Sequence, residues 1–267
     1  METQNHDRIR QQVRTAYAKV ASGASGCTTG CCGTDGEGSL ALGYTADDIS
    51  GVPDGADLGL GCGNPQAIAA LKPGNTVLDL GSGGGFDCFL AAKRVGQSGR
   101  VIGVDMTPEM VLKARENARR VESSNVEFRL GEIEHLPLSD RSVDVILSNC
   151  VINLAPDKGQ VFREAFRVLK PGGKLAIADV VLLQELPAAL AVSLEAMTGC
   201  VAGSIPVDVL RSLLTEAGFE GIRIETRPDS GAVIARCMPG AEAYVASATI
   251  EATKPSGKAC CGPTCCT

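Results

Sequence analysis

Twelve cysteines in 267 residues give this sequence most of its chemical potential. They fall into three groups. Cys27, Cys31 and Cys32 lie in "SGCTTGCCG", Cys260, Cys261, Cys265 and Cys266 lie in the terminal "ACCGPTCCT", and Cys62, Cys88, Cys150, Cys200 and Cys237 are spread between them. The chain is long enough to bury a full core, and its N-terminal "METQNHDRIRQQVRTAYAKV" is charged and helical rather than signal-like. Metal, metalloid or redox chemistry is therefore the better expectation than a secreted disulfide framework. A thiol taken singly has a plainer reading, because free cysteine is among the most buried residue types. Cys88, inside "FDCFLAA", and Cys237, in an expected terminal strand "AVIARCM", are read as core packing. Cys150 differs. It follows the buried apolar run "VDVIL" in "SNCVINLAPDK", so it ends a strand on the carboxyl edge of a sheet, where α/β proteins place their ligands.

The second chemical signal is "VLDLGSGGGFD", residues 77 to 87. Gly81, Gly83 and Gly85 follow a buried strand and precede a helix, so a ligand can approach the backbone and the helix N-terminus. Asp105 ends the next strand 20 residues after Gly85, where a carboxylate can accept both hydroxyls of a ribose. The spacing is G-x-G-x-G rather than the G-x-G-x-x-G of a dinucleotide site. A nucleoside ligand is expected.

Alternating elements must position these residues. "TVLDL", "RVIGVD", "VEFRL", "VDVILSN" and "KLAIADVVL" read as strands, separated by the helices "FDCFLAAKRV", "PEMVLKARENARRV" and "GQVFREAFRVL". That order predicts a parallel sheet of βαβ units. Residues 8 to 20 form an amphipathic helix in this reading. Residues 21 to 66 are rich in Gly, Ser, Asp and Pro and predict long loops with a short helix. After the core come two helical segments, and then "IRIETR" and "AVIARCM" as closing strands. The expected organisation is an N-terminal helix and cysteine-bearing segment (1–69), a nucleoside-binding core (70–182), covering helices and closing strands (183–240) and a C-terminal extension with the Cys-rich tail (241–267). A net charge of −6, a pI near 5.1 and a scarcity of aromatic residues argue against a nucleic-acid partner. No apolar stretch is long enough for a membrane span, so a cytoplasmic protein acting on a small substrate is expected.

"VLDLGSGGG", "VIGVDMT", "GEIEHLPL" and "RVLKPGGKLAIADV" resemble the successive motifs of class I S-adenosylmethionine-dependent methyltransferases. That family implies an α/β, Rossmann-like sheet, mostly parallel with an antiparallel C-terminal strand. It also implies a cofactor site in which Asp79, Gly81, Ser82, Gly83 and Gly85 line the methionine and ribose part. Asp105 would then hold the ribose, Met106 would cover one face of adenine, and Glu132 with Ile133 would meet its edge. "LGLGCGNP", "SNCVINLAPDK" and "EAMTGCVAGS" look like the three cysteine motifs of arsenite S-adenosylmethionine methyltransferases, which implies Cys62, Cys150 and Cys200 as ligands of arsenic(III). The chain has Leu58, Gly59 and Leu60 where many relatives carry two tyrosines. Asn149 and Asn153 are read as fastening the loop around Cys150, and Asn149 is counted with the cofactor residues.

The residues agree with that implication. Most methyl acceptors must lose a proton to a positioned base, and the two histidines, His6 and His135, both read as surface residues. Trivalent arsenic bound by thiolates keeps a lone pair and has no proton to remove. Arsenite and methylarsenite are the expected substrates, with a thiol reductant of the glutathione or thioredoxin class as co-substrate. Cys32 is expected to deliver arsenic or to pair with Cys62 after turnover, Cys31 being the weaker candidate. Two other readings stay open: a class I methyltransferase for a small organic metabolite, and a thiolate protein that binds metalloid without catalysis.

Overall fold

The computed structural model describes residues 2–23 and 37–257. Its elements run α1 (Glu2–Ala21), α2 (Glu37–Ala41), α3 (Ala46–Ser50), β1 (Thr76–Leu80), α4 (Phe86–Val95), β2 (Arg100–Asp105), α5 (Pro108–Arg120), β3 (Val126–Leu130) and β4 (Val143–Asn149). They continue with α6 (Lys158–Val168), β5 (Leu169–Leu182), α7 (Ala188–Ala191), α8 (Leu194–Thr198), α9 (Val207–Glu216), β6 (Glu220–Thr226), α10 (Ser230–Cys237) and β7 (Val245–Thr253). The seven strands form one sheet in the order β3-β2-β1-β4-β5-β7-β6. β1 to β5 are parallel, and β7 is antiparallel to β5 and β6. This is the mostly parallel sheet with an antiparallel end that the motifs imply.

Apolar runs such as "TVLDL" and "VDVIL" suit strands covered on both faces. On one face α4 and α5 bring Cys88, Phe89 and Val111 against Val77, Val101 and Val145. On the other, α6 and α9 bury Phe162, Ala165 and Leu214 against Leu78, Ile146 and Ile177. The buried residues of α6, namely Val161, Phe162, Ala165 and Val168, make a single stripe, and Asp157 caps its start by accepting the Gln160 N–H at 2.8 Å. After β3 the chain returns to the middle of the sheet, so the winding direction reverses between β1 and β4. A crevice opens there beyond the carboxyl ends of the strands. Gly81 follows β1 and Cys150 follows β4, which puts the glycine turn and the thiol on the same crevice.

Two expectations need correction. "AVIARCM" is not a closing strand: Ser230–Cys237 is the helix α10, with Cys237 half-buried at its end. The last strand is instead "VASATIEAT", placed inside the sheet between β5 and β6. Its alternating small residues are poor strand formers by themselves, and nine register pairs with β5 supply what propensity does not. Residues 245–253 therefore belong to the sheet rather than to an extension. Cys27, Cys31, Cys32 and the four tail cysteines lie outside the described residues. No helix among the described residues is long and apolar enough to cross a membrane.

Candidate active site

The crevice is built first by backbone. Gly81 and Gly83 have φ of +68° and +49°, the left-handed region that favours glycine. A Cβ on Gly81 would collide with the Val151 side chain, whereas a Cβ on Gly83 would meet nothing within 4 Å, so Gly83 borders open space. Asp105 holds this turn. Its Oδ2 accepts the Gly83 N–H at 3.0 Å and its Oδ1 accepts the Thr107 N–H at 2.8 Å, leaving further lone pairs for a diol. Met106 and Ile133 line the same crevice.

Three carboxylates face it: Asp79 and Asp87, both buried, and the partly buried Asp105. Burial pushes the Asp79 carboxyl well up, and the neighbouring Asp87 adds to the shift, opposed by a 3.2 Å hydrogen bond from the Cys88 thiol. Burial also raises Asp87, opposed by hydrogen bonds from Gln66, Tyr44 and Asn149. Asp105 is raised by burial against its two backbone donors. Clustered acids in a crevice suit a cationic ligand, whose charge favours their ionised form.

The cysteines of the site lie beside Asn149, whose Oδ1 accepts the Cys62 N–H. Cys62 and Cys150 are joined as a disulfide with Cα atoms 5.5 Å apart. The Cys200 Sγ lies 2.8 Å from the Cys150 carbonyl oxygen, to which it donates. All three share an apolar cluster with Leu154 and Val180. Cys150 and Cys200 have φ of +56° and +63°. A side chain in that region costs about 1–2 kcal/mol that glycine would not, so a thiol is retained at both positions against the local backbone preference. An Asp179 oxygen lies within 4.8 Å of the Cys62 and Cys150 sulfurs. That carboxylate already accepts the Ile152 N–H at 2.9 Å, the Asn153 N–H at 3.4 Å, the Asn153 Nδ2 at 2.9 Å and the Val180 N–H at 2.8 Å. With its acceptor capacity used, Asp179 braces the turn after Cys150 rather than offering itself as a ligand. Burial pushes its pKa up to about 6. Burial, followed by the charge of Asp179, also pushes the Cys200 thiol well up, against the pull of Lys158.

The strained positions predict a contrast in stability. Cys88 and Cys200 are both fully buried, at 0% and 2% exposure, but Cys88 sits in a helix. Glycine at Cys88 adds a helix penalty of about 1 kcal/mol to the lost packing, whereas at Cys200 it relieves about 1 kcal/mol of strain. Urea unfolding should therefore find Cys88→Gly less stable than Cys200→Gly by about 2 kcal/mol.

Comparison with known proteins now decides the family. The methyltransferase domain family matches residues 71–218. An arsenite methyltransferase of Halobacterium salinarum is 52% identical over 264 residues, covering 94% of this chain and 68% of that protein. The chain belongs to the arsenite methyltransferase family. Human arsenite methyltransferase is 40% identical over 159 residues, or 56% of this chain and 42% of that protein. The crystal structure of an arsenic(III) S-adenosylmethionine methyltransferase from Chlamydomonas reinhardtii matches with a TM-score of 0.62 and 34% identity, covering 82% of this chain and 74% of that one. The chain spans 68% or less of the length of these two curated arsenite methyltransferases.

Within this arsenite methyltransferase fold, Asp79, Gly81, Ser82, Gly83, Asp105, Met106, Ile133, Asn149 and Cys150 line the crevice, while Cys62 and Cys200 adjoin it through Cys150. Gly85 lies behind the lining, packed against Phe89 and Phe128. Glu132 stands outside the lining, paired with Arg10 and Arg14 at 3.3 and 3.4 Å, whereas Glu134 is in the lining and pairs with Arg10 at 3.0 Å. Cys62 is joined to Cys150, and Cys32, the partner expected for Cys62 after turnover, lies outside the described residues. Sequence reasoning missed Tyr44, Gln66 and Asp87. The Tyr44 hydroxyl donates to Asp87 at 2.8 Å, and the Gln66 Nε2 donates to the Asp87 carbonyl at 2.7 Å. Asp87 had a signal, a lone acid in the first turn of an apolar helix. Tyr44 stands in irregular chain and Gln66 in a single 3-10 turn, and neither had one.

Proposed function

We propose that this chain transfers a methyl group from S-adenosylmethionine to arsenic(III) held by the thiolates of Cys62, Cys150 and Cys200. The observation that carries the reading is the convergence of three cysteines, two of them on strained backbone, beside a glycine-lined acidic crevice. The fit to the cofactor rests on the open space at Gly83, the spare acceptor capacity of Asp105 and the acidic lining. When bound, S-adenosylmethionine supplies an electrophilic methyl carbon on a cationic sulfur. Asp105 would hold the ribose, and Asp79 and Asp87 would offset the positive charge.

The chain's part is then ligation, aim and reduction. Each thiol that binds arsenite replaces a hydroxide, its proton leaving with that hydroxide as water, so no separate base is consumed. Fixing arsenic by two or three thiolates converts a bimolecular encounter into a near-attack arrangement. With the cofactor bound, the arsenic lone pair would form the As–C bond as the sulfonium C–S bond broke, and Cys62, Cys150 and Cys200 would hold arsenic while its formal oxidation state rose by two. Two thiolates can return two electrons by forming a disulfide, and the pairing of Cys62 with Cys150 supports assigning that role to them. A thiol reductant of the glutathione or thioredoxin class must then reopen it. Such a cycle suits a reducing compartment such as the cytoplasm.

The deciding experiment incubates the purified chain with S-adenosylmethionine, arsenite and thiol and follows arsenic speciation over time. Methylated arsenicals are expected, and their absence with bound arsenite would favour sequestration without catalysis. A pH dependence follows from the acids. Asp79, Asp87 and Asp105 have raised pKa values in the free protein, and their ionised forms attract the cationic cofactor. Affinity should therefore rise with pH just above the ordinary carboxylate range of about 4. Binding in that window should release protons, detected as calorimetric heats that depend on the ionisation enthalpy of the buffer. Proton uptake would contradict the placement of the charge.

A further inference from the structure

We infer that Asn149 is a positioning residue whose side-chain amide sets Cys62 against Cys150, and so decides whether arsenic is gripped by three thiolates or by two. The Asn149 Oδ1 accepts the Cys62 N–H at 2.9 Å, and its Nδ2 donates to the Gly63 carbonyl at 2.8 Å. One planar amide thus pins the main chain at Cys62 from both sides. Among the described residues, no other hydrogen bond holds the main chain of residues 60–63, which lies in no helix or strand. The second amide proton reaches the Tyr44 hydroxyl at 3.0 Å, and that hydroxyl donates to Asp87 at 2.8 Å, so the amide is itself oriented by a buried network.

The two glycines around Cys62 belong to the same device. A Cβ on Gly61 would lie 2.8 Å from the Asn149 Nδ2, and one on Gly63 would lie 2.9 Å from the Ala178 Cβ. The segment can rest on Asn149 and β5 only because both neighbours of Cys62 lack side chains. Cys150 is placed differently, by its own N–H to the Ala178 carbonyl at 2.8 Å. Disturbing the Asn149 amide therefore moves Cys62 and leaves the main-chain anchor of Cys150 in place. Arsenite has three positions for sulfur, whereas methylarsenic(III) has two, so a displaced Cys62 should hinder the first methyl transfer more than the second. This consequence rests on the proposed arsenic methylation. The positioning itself does not.

The test uses the full chain with Asn149→Ala and, separately, Gly61→Ala, which pushes a methyl group into the amide without deleting a core side chain. Gly61 has no left-handed φ, so alanine is compatible with its backbone. Starting from reduced protein, diamide takes two electrons and two protons from a pair of thiols as a disulfide forms. Closure of Cys62 to Cys150, followed by peptide mass analysis, should be about tenfold slower or more in both variants, as expected for a misplacement near 1 Å. X-ray absorption on arsenite-loaded protein should show the sulfur coordination of arsenic fall from three to two. The ratio of arsenite to methylarsenite methylation should drop by about tenfold. If Asn149→Ala melts too low to assay, Gly61→Ala carries the same test. Closure at the parent rate in the variants overturns the inference, as does a loss of S-adenosylmethionine affinity with unaltered closure, which would make Asn149 a cofactor residue alone. A parent chain that closes the disulfide but does not methylate arsenite counts against the proposed function, and the closure rates still decide the role of Asn149.

Discussion

Cys150→Ser and Cys200→Ser should abolish methylation of both arsenite and methylarsenite, whereas Cys62→Ser should lose mainly the first. The argument is one of valence. A methylarsenic(III) substrate spends one of its three positions on carbon, so two thiolates suffice for a further transfer. Cys150 borders the crevice at the end of β4, and Cys200 is held against the Cys150 carbonyl, so under the proposed function these two would form the constant pair. Cys62 lies in irregular chain, and under the proposed function it would complete the cage for arsenite. Serine is nearly isosteric but offers a hard oxygen in place of a soft thiolate, so it tests ligation more than packing. Rates on each substrate, measured with a small thiol supplied in excess, check the split. A Cys150→Ser chain that methylates methylarsenite at the parent rate would falsify the two-thiolate core.

Asp105→Ala should weaken S-adenosylmethionine binding by about 10- to 100-fold, the equivalent of about 1.5–3 kcal/mol for hydrogen bonds to a charged group. The carboxylate acts twice, as the expected acceptor of the ribose hydroxyls and as the acceptor that holds the Gly83 turn in place. Arsenite binding should hardly change, because the thiols are placed by other contacts. Glu132→Ala is the informative comparison. Its half-exposed carboxylate is spent on Arg10 and Arg14, and such ion pairs contribute little, so cofactor affinity should fall far less. Calorimetry on both variants measures the contrast, and equal losses would contradict the geometry.

Some of this was legible in the residues themselves because it is local. A glycine turn between a buried strand and a helix, an acid ending the next strand and a cysteine ending another are all short-range patterns, and the switch point of a parallel sheet brings them to one crevice. The strand β7 escaped the reading because Ala and Ser have little intrinsic strand preference, and only pairing with β5 and β6 makes that segment extended. α10 was misread for the related reason that a short apolar run fits either period.

The types of the site residues, three thiols and a carboxylate-lined nucleoside crevice, were thus determined by sequence, through motifs whose spacing is set by single strand-to-helix connections. Tertiary structure alone decided their mutual placement. Cys62 and Cys150 are 88 residues apart and meet only when irregular chain is laid across the end of β4. Asn149 can bind the main chain at Cys62 only in that arrangement. Glu132 and Glu134 are both acids in one loop, and packing of α1 decides that both meet Arg10, that the first also meets Arg14, and that the second lines the crevice. The physical reason is the same in each case. Long-range contacts depend on which surfaces are left facing one another after the core has formed, and no local pattern encodes that.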